Sequence, residues 1–154
     1  MNTGIQIRPM IADDLDAVIA MERETPEAPQ WTREDYLRYV GASENSRLQR
    51  FGLVAELQGR VAGFAVLDVL PPVAELTLVV VDAKVRRSGI GSKLVALSMV
   101  GARGQGARRL ELEVRQSNRA AIAMYERAGL CRDGRRPAYY SAPVEDAVLM
   151  SVTL

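Results

Sequence analysis

Apolar residues near the start of the chain first alternate with polar ones and then recur at helical spacing. The alternation over 5–8 predicts a short strand. A helix is predicted next. Asp13 or Asp14 would cap it, and its apolar face would consist of Leu15, Val18 and Ile19. The stretch 25–30, which contains two prolines, interrupts the helical pattern. Thr32 with Asp35 three residues later is typical of a capping box, which predicts a second helix through about Val40.

From residue 51 onward, longer apolar runs alternate with two further helical patterns. The predicted strands cover 51–57, 61–70, 75–81, 109–114, 131–136 and 147–154, and the predicted helices cover 91 to about 103 and 118–128. Recurring apolar residues define the first of these helices: Leu94, Leu97 and Val100, or Gly101 in place of Val100. The turn 58–60 is typical of a β-hairpin, Pro71 and Pro72 end the second strand of that hairpin, and Gly129 ends the last helix.

The order of these elements predicts the fold class. One strand, two helices and three strands are followed by a helix, a strand, a helix and two strands. Hairpin-linked strands before strand–helix units indicate a mixed sheet with helices on its faces. We therefore expect an α/β (α+β) fold in which a mostly antiparallel central sheet of about seven strands is flanked by about four helices. Because 154 residues are the size of one ordinary domain, residues 1–154 are expected to form a single domain.

Composition is typical of a globular protein without a membrane segment. Hydrophobic residues make up 48% of the chain and charged residues 25%, which is enough apolar material for a core. No stretch reaches the roughly 18 consecutive apolar residues that span a bilayer. The N-terminus lacks the pattern of a secretory signal. We therefore expect a cytoplasmic protein that does not associate with membranes.

The residue types that are missing narrow the possible chemistry. The chain has no histidine, which excludes a Ser-His-Asp triad and a histidine-ligated metal. Its one cysteine, Cys131, excludes an intrachain disulfide and a cysteine-based zinc site, and we expect it to be a buried structural thiol. No metal site is therefore predicted. The acid–base groups of an enzyme would have to be carboxylates, tyrosines, lysines, backbone groups or water.

The most informative stretch is 79–94, in which an apolar strand runs into a basic turn and two glycines open a helix. Gly89 and Gly91 allow positive φ angles and a close approach of the backbone to a ligand. The unpaired amides and the dipole of the helix would bind a pyrophosphate there, aided by nearby arginine and serine side chains. Residues 61–154 also hold 13 basic against 9 acidic side chains. The alternative is a tight strand–helix connection that binds no ligand.

Better-known phosphate and nucleic-acid motifs do not match this stretch. A P-loop needs Gly-Lys followed by Ser or Thr, whereas here Lys93 follows Ser92. A Rossmann fingerprint needs a third glycine at position 94, which is Leu94. With a net charge of only +1 and no recognised motif around its arginines, the chain is not predicted to bind nucleic acid.

Ordered motifs in the C-terminal half resemble one superfamily. The spacing Arg86-x-x-Gly89-x-Gly91 resembles the acetyl-CoA signature Gln/Arg-x-x-Gly-x-Gly/Ala of the GNAT N-acetyltransferases. Within that superfamily, residues 112–125 are similar to the pattern Leu-Glu-Val-Arg-x-Ser-Asn-x-Ala-Ala-Ile-x-Leu-Tyr of the bacterial ribosomal-protein-alanine N-terminal acetyltransferases. Three further segments continue the match in order: 129–130, 135–140 and 145–147.

The resemblance implies a GNAT fold and acetyl-CoA as acetyl donor. The residues that it implies for donor binding are Val79, Val80, Val81, Arg86, Arg87, Ser88, Gly89, Ile90, Gly91, Ser92 and Asn118. It implies Glu113 as general base, acting directly or through water, and Tyr125 as the general acid that protonates the coenzyme A sulfur. From the residues alone, Glu113 could face solvent together with Glu111, Tyr125 could be a core tyrosine, and Asn118 could cap the helix that follows it.

The acceptor implied by the resemblance is the α-amino group of a protein N-terminus, such as that of a ribosomal protein. An α-amino group with a pKa of about 7.8 is roughly 10–15% neutral at pH 7, whereas a lysine with a pKa of about 10.4 is neutral only about 0.04% of the time. Trp31, Tyr139 and Tyr140 are candidates for lining the acceptor groove, the last two in a loop before the final strand, and buried packing is their alternative role. A small amine or a lysine as acceptor, and a coenzyme A-binding module without catalysis, are the other hypotheses. The presence of both Glu113 and Tyr125 argues against the non-catalytic module.

Overall fold

The computed structural model, which describes residues 4–41 and 46–154, has a seven-stranded sheet at its centre. Its strands are β1 (Ile5–Pro9), β2 (Gln49–Leu57), β3 (Arg60–Leu70), β4 (Val73–Val81), β5 (Arg109–Arg115), β6 (Cys131–Ser141) and β7 (Val144–Thr153). Its α-helices are α1 (Leu15–Arg23), α2 (Arg33–Leu37), α3 (Ile90–Gly104) and α4 (Arg119–Arg127). The strand order is β1-β2-β3-β4-β5-β7-β6, and β4 and β5 form the one parallel pair among the described strands. This confirms the expected mixed, mostly antiparallel sheet with helices.

The starts of α1 and α2 are set by local side chains. Thr32 Oγ1 accepts the amide of Asp35 at 3.2 Å, and an Asp35 carboxylate oxygen accepts the amide of Thr32 at 2.8 Å. The predicted capping box is therefore confirmed. α2 ends before Val40, however, and is shorter than predicted. Asp14 precedes α1, but its carboxylate pairs with Arg8 at 2.7 Å and does not cap the helix.

Each face of the sheet carries its own apolar core. On one face, α3 and α4 pack against the sheet, and the fully buried residues there include Leu67, Leu94, Leu110 and Met150. On the other face, α1 and α2 pack against it, and the fully buried residues include Leu15, Val18, Tyr36 and Phe64. Burial of large apolar side chains on both faces holds the central strands between two layers of helix.

The buried stripe of α3 differs from the predicted one. Leu94 is buried as expected and Gly101, the alternative to Val100, is half-buried against Phe51, but Leu97 and Val100 are exposed. The core-facing residues recur instead at intervals of four: Leu94, Ser98 and Ala102. Because apolar residues lie on nearly all sides of α3, its sequence pattern alone does not determine which side faces the core. No helix in the described ranges is long and apolar enough to cross a membrane.

The final hairpin corrects two further predictions. β6 continues past 136 through Ser141, so Tyr139 and Tyr140 lie in a strand and not in a loop. Pairing with β7 overrides the weak local strand preference of this segment, and the register shifts between Arg136 and Tyr140. Cys131 is exposed, and the prediction of a buried thiol is wrong. β6 is an edge strand whose residues are almost all exposed, so its first residue has little apolar surface to pack against.

The sheet opens between β4 and β5. These parallel strands pair only from Val73 with Arg109 to Glu75 with Glu111. β4 then continues to Val81 and β5 to Arg115, with no further pairing between them. An irregularity in the β3–β4 register marks the point at which β4 turns away, and Thr77 is its extra residue. The C-terminal parts of β4 and β5 therefore lie apart and leave a cleft between the two strands.

Candidate active site

The turn before α3 has the geometry of an anion-binding site. Arg87 and Gly89 both have positive φ angles, 66° and 86°, and the buried side chain of Ile90 fixes the first turn of the helix in the core. The first main-chain hydrogen bond into α3 runs from the Lys93 amide to the Gly89 carbonyl at 3.1 Å. Among the residues that the structure describes, the amides of 90–92 therefore have no main-chain acceptor. They offer hydrogen-bond donors and the positive end of the helix dipole to an anion.

The two glycines of this turn are required for different reasons. The left-handed φ of Gly89 favours glycine, and a Cβ there would meet no protein atom within 4 Å. A Cβ on Gly91 would lie 2.7 Å from the sulfur of Met124 on α4. Gly91 thus permits close packing of α3 on α4, whereas Gly89 leaves open space in front of the free amides.

Positive side chains surround the same turn. Four of them are exposed, and the described residues place no carboxylate within ion-pair distance of any: Lys84, Arg86, Arg87 and Lys93. The Ser88 hydroxyl donates to the Val85 carbonyl and stabilises the turn, while Ser92 is exposed. Free amides, a hydroxyl and unpaired cations together fit the pyrophosphate and phosphate of a coenzyme A-type molecule.

β4 reaches this turn with its β5 side open. Val80 is buried in the core on the α1 face, while Val79 and Val81 are half-buried against the α3 face. Packing engages the side chains of these three residues. Their main-chain N–H and C=O groups, along the edge of β4 that β5 leaves uncovered, are what a ligand could contact. Their part in donor binding stays a prediction.

Asn118 stands where β5 leads into α4. Its side-chain oxygen accepts the Ala121 amide at 3.2 Å, so its capping role is confirmed. The helix that it caps begins at the open end of β5. A second role in donor binding stays a prediction.

Glu113 lies under the β6–β7 hairpin. Alternation along β5 puts Glu111 and Glu113 on the face opposite the leucines, as predicted. Glu113 Oε2 accepts the Tyr139 hydroxyl at 2.8 Å, and Oε1 lies 3.4 Å from a guanidinium nitrogen of Arg136. The hydrogen bond to this carboxylate raises the pKa of Tyr139. Glu113 is thus a partnered carboxylate, and 21% of its side chain remains accessible.

Tyr125 approaches β5 from the opposite face. It belongs to α4 and is only 8% exposed, within the core that contains Leu112 and Val114. Burial raises the pKa of its hydroxyl to about 12, so the group is protonated at neutral pH. Within the described ranges, no protein group hydrogen-bonds to this hydroxyl. A role as general acid stays a prediction.

Tyr140 lies next to Tyr139 on β6. Its ring centroid lies 5.0 Å from that of Tyr139, with the two rings nearly perpendicular. Burial, with a contribution from the Glu113 charge, raises the pKa of Tyr140 to about 12. Tyr140 in turn contributes to the raised pKa of Tyr125. The structure therefore brings together Glu113, Tyr139 and Tyr140 from β5 and β6, while Tyr125 on α4 packs against the other face of β5.

Trp31 belongs to a separate aromatic cluster on the α1 face. Its ring stacks on Tyr39 at a centroid distance of 5.7 Å and tilts against Tyr36 at 5.3 Å. Among the described residues, no hydrogen bond or ring contact joins Trp31 to Glu113 or to the hairpin tyrosines. Trp31 has the packing role, and an acceptor role stays a prediction.

Two buried charged residues that contact candidate site residues or their neighbours were not predicted. Glu22 is fully buried and accepts the Trp31 amide at 3.0 Å and the Tyr36 hydroxyl at 2.6 Å. Arg115 ends β5 and is 9% exposed. A signal existed for each in the sequence. Glu22 falls on the apolar stripe of α1, and Arg115 follows Glu113 at strand spacing.

Comparison with known proteins places the chain in a family. The sequence profile described as the Acetyltransferase (GNAT) family matches residues 15–130. The chain is 31% identical over 156 residues to the ribosomal protein bS18-alanine N-acetyltransferase of Escherichia coli (strain K12), covering 100% of this chain and 99% of that protein. The crystal structure of the ribosomal-protein-S18-alanine N-acetyltransferase from Escherichia coli matches with a TM-score of 0.80 and 29% identity, covering 97% of this chain and 93% of that one. Ard1 from Thermoplasma volcanium matches with a TM-score of 0.81 and 26% identity, covering 98% of each chain. This chain therefore belongs to the GNAT family of N-acetyltransferases, which use acetyl-CoA as the acetyl donor.

Proposed function

We propose that this enzyme transfers the acetyl group of acetyl-CoA to the α-amino group of a protein N-terminus, with residues 1–154 acting as a single acetyltransferase domain. A ribosomal protein with a small first residue such as alanine is the proposed acceptor. The comparison with Escherichia coli supports this choice, since both the sequence and the crystal structure matched there carry the name of a ribosomal-protein-alanine acetyltransferase. Action on a ribosomal protein would place the enzyme in the cytoplasm.

One geometric observation carries the proposal. Glu113 and Tyr125 approach the carboxyl end of β5 from opposite faces of the sheet, next to the cleft between β4 and β5. An amine on the Glu113 side and a thioester in the cleft would meet between a carboxylate and a protonated phenol. This is the arrangement that aminolysis of a thioester needs, because one proton must leave the amine and one must reach the sulfur.

The residues of the chain divide the chemistry as follows. Acetyl-CoA, when bound, supplies the thioester whose carbonyl carbon forms a bond with the amine nitrogen while its bond to sulfur breaks. Glu113 takes a proton from the amine at a carboxylate oxygen, directly or through water. Tyr125 gives its hydroxyl proton to the departing sulfur, which its pKa of about 12 allows at neutral pH. The free amides of 90–92 and the cations around them hold the phosphates.

The acceptor groove is proposed to lie between the β6–β7 hairpin and the α1 face. Tyr139 and Tyr140 would line one wall beside Glu113, and Trp31 would contribute from the other side. A base that is a single carboxylate suits an α-amine, because roughly 10–15% of such amines are already neutral at pH 7. Lysine would need burial to lower its pKa to the same range.

The test compares two peptides of one sequence that begins with alanine and contains one lysine. In the first, the N-terminus is free and the lysine is blocked, and in the second the N-terminus is blocked and the lysine is free. Free amino acids and polyamines are assayed beside them with acetyl-CoA. We expect acetylation of the first peptide. Acetylation of the second alone, or of small amines alone, would assign the enzyme to another acceptor class.

A further inference from the structure

Arg115 is the buried last residue of β5, and its guanidinium reaches the tip of the β6–β7 hairpin. Nη1 donates to the Pro143 carbonyl at 3.0 Å, and Nη2 donates to the Ala142 carbonyl at 3.4 Å. Nη1 also lies 3.3 Å from a carboxylate oxygen of Glu145. One side chain thereby joins two carbonyls and a carboxylate of the hairpin to the end of β5.

The carboxylate in this set extends the contacts to the loop before α4. Glu145 Oε2 accepts the Ser117 amide at 2.6 Å. Hydrogen bonding from Ser117 and pairing with Arg115 hold the pKa of Glu145 below its usual value. The next residue, Asp146, accepts the amide of Ala138 at 2.8 Å from the opposite strand of the hairpin. The hairpin tip is therefore fixed both to the body of the protein and across its own strands.

The guanidinium also packs on an aromatic ring that belongs to the candidate site. The Arg115 guanidinium carbon lies 4.3 Å from the centroid of Tyr140. Tyr140 contacts Tyr139, and Tyr139 donates its hydrogen bond to Glu113. A continuous series of contacts therefore runs from Arg115 through two tyrosines to the proposed base.

We propose that Arg115 is a positioning residue for the acceptor groove. It holds the β6–β7 hairpin so that Tyr139 and Tyr140 face the incoming amine beside Glu113. Arg115 itself touches neither the amine nor the donor. The proposal rests on the proposed function, because it takes Glu113 as the base and the two tyrosines as the wall of the acceptor groove.

The chemistry of arginine suits this task. The planar guanidinium donates in several directions while its face packs on an aromatic ring, and a lysine ammonium cannot do both. Arg115 Nε is buried and has no hydrogen-bond partner among the described residues. An unpaired buried donor lowers stability, so burial for stability alone does not explain an arginine here. Its hold on the hairpin does.

The experiment compares Arg115→Met and Arg115→Lys with the control Arg132→Met. Methionine fills a similar volume but has no hydrogen-bond donors, and lysine keeps the positive charge but lacks the planar set of guanidinium donors. Arg132 is exposed on β6 and pairs with Glu126 at 3.4 Å, away from the hairpin tip. Each variant is measured for thermal unfolding with and without acetyl-CoA, for hydrogen exchange over 137–146, and for KM and kcat with the amine that the wild type acetylates best.

We expect both Arg115 variants to fold and to keep the acetyl-CoA-induced rise in melting temperature. Exchange over 137–146 should accelerate, and KM for the amine should rise about tenfold or more with a smaller change in kcat, because the groove is displaced and the donor site is not. The control should match the wild type. Arg115→Lys should fail to restore KM.

Unchanged exchange, or faster exchange with an unchanged KM, would overturn the role of Arg115. If Arg115→Met does not fold, Arg115→Lys and Glu145→Gln are compared with the wild type by the same measurements. Each of these variants weakens the contacts that hold the tip of the β6–β7 hairpin. If the wild type acetylates only small amines, the proposed acceptor is wrong. In that case the KM for the preferred small amine still decides whether Arg115 positions the groove.

Discussion

Tyr139 donates its hydroxyl hydrogen to Glu113 across 2.8 Å, and so joins the tip of the last hairpin to the carboxylate at the end of β5. Arg136 from the same strand lies 3.4 Å from the other oxygen of that carboxylate. In the proposed reaction, the amine would therefore meet a carboxylate whose orientation these two contacts fix. Orientation of this kind is how a single base contributes to a transfer that needs no covalent intermediate on the protein.

Replacement of the proposed base should slow the reaction without unfolding the protein. Glu113→Gln removes the proton acceptor but keeps the shape, so kcat/KM should fall about 10²–10⁴-fold at neutral pH. Raising the pH should restore part of the rate, because more of the amine is then already neutral. The control is Glu111→Gln, on the same face of β5 but exposed. Equal rates for the two variants at every pH would show that Glu113 is not the general base.

The pH dependence at the alkaline end tests Tyr125. Its pKa of about 12 means that the hydroxyl stays protonated well above pH 10, where an ordinary tyrosine would be half ionised. We therefore expect the wild-type rate to rise with pH as the amine becomes neutral and to hold its plateau through about pH 10. Tyr125→Phe should lower kcat and leave acetyl-CoA binding unchanged. A rate that falls between pH 9 and 10, with the protein still folded, would contradict this role.

Substitution at the turn before α3 should affect the donor selectively. Gly89→Ala and the control Gly59→Ala both place a side chain at a left-handed φ, 86° and 77°, in open space. Each should lose about 1–2 kcal/mol of stability from backbone strain. Only Gly89→Ala should also lose the rise in melting temperature that acetyl-CoA causes, which for a ligand at a hundred times its Kd corresponds to about 2.7 kcal/mol. An equal rise in both variants would place the donor elsewhere.

The buried carboxylate of Glu22 should be needed for stability. Amides of Gln30 and Trp31 and the hydroxyl of Tyr36 all donate to it. In Glu22→Gln one acceptor oxygen becomes an NH₂ group that faces these donors, so the free energy of unfolding should fall by about 1–3 kcal/mol. Glu24→Gln, exposed at the end of α1, should leave it unchanged. Denaturant unfolding measures both, and equal stabilities would show that the loop does not depend on this carboxylate.

Features that depend on near neighbours in the chain were predictable from the sequence. The capping box of Thr32 and Asp35 needs only three intervening peptide units, and both of its bonds are present. Alternation in β5 placed Glu113 opposite the buried leucines, because the side chains of a strand alternate strictly between its faces. Gly89 in the turn before α3 likewise specifies local geometry through its left-handed φ.

Features that depend on distant pairing were not predictable in this way. Arg115 contacts carbonyls and a carboxylate 27 to 30 residues further on, and no local pattern announces such partners. Tyr139 and Tyr140 lie in a strand because β7 pairs with β6 on either side of a register shift, with Arg136 opposite Ala147 and Tyr140 opposite Glu145. The proline and charges of this segment by themselves favour a loop. Cys131 is exposed because topology places its strand at the edge of the sheet. Tertiary context decided each of these positions.

The most direct measurement offers both kinds of amine in one molecule. A peptide that begins with alanine and contains one internal lysine, both unblocked, is incubated with enzyme and acetyl-CoA, and tandem mass spectrometry locates the added acetyl group. Glu113→Gln provides the matched control for chemistry that does not need the enzyme. We predict acetyl on the N-terminal residue, none on the lysine, and little product with the variant. Acetyl on the lysine, or an unmodified peptide beside an acetylated small amine, would contradict the proposed acceptor.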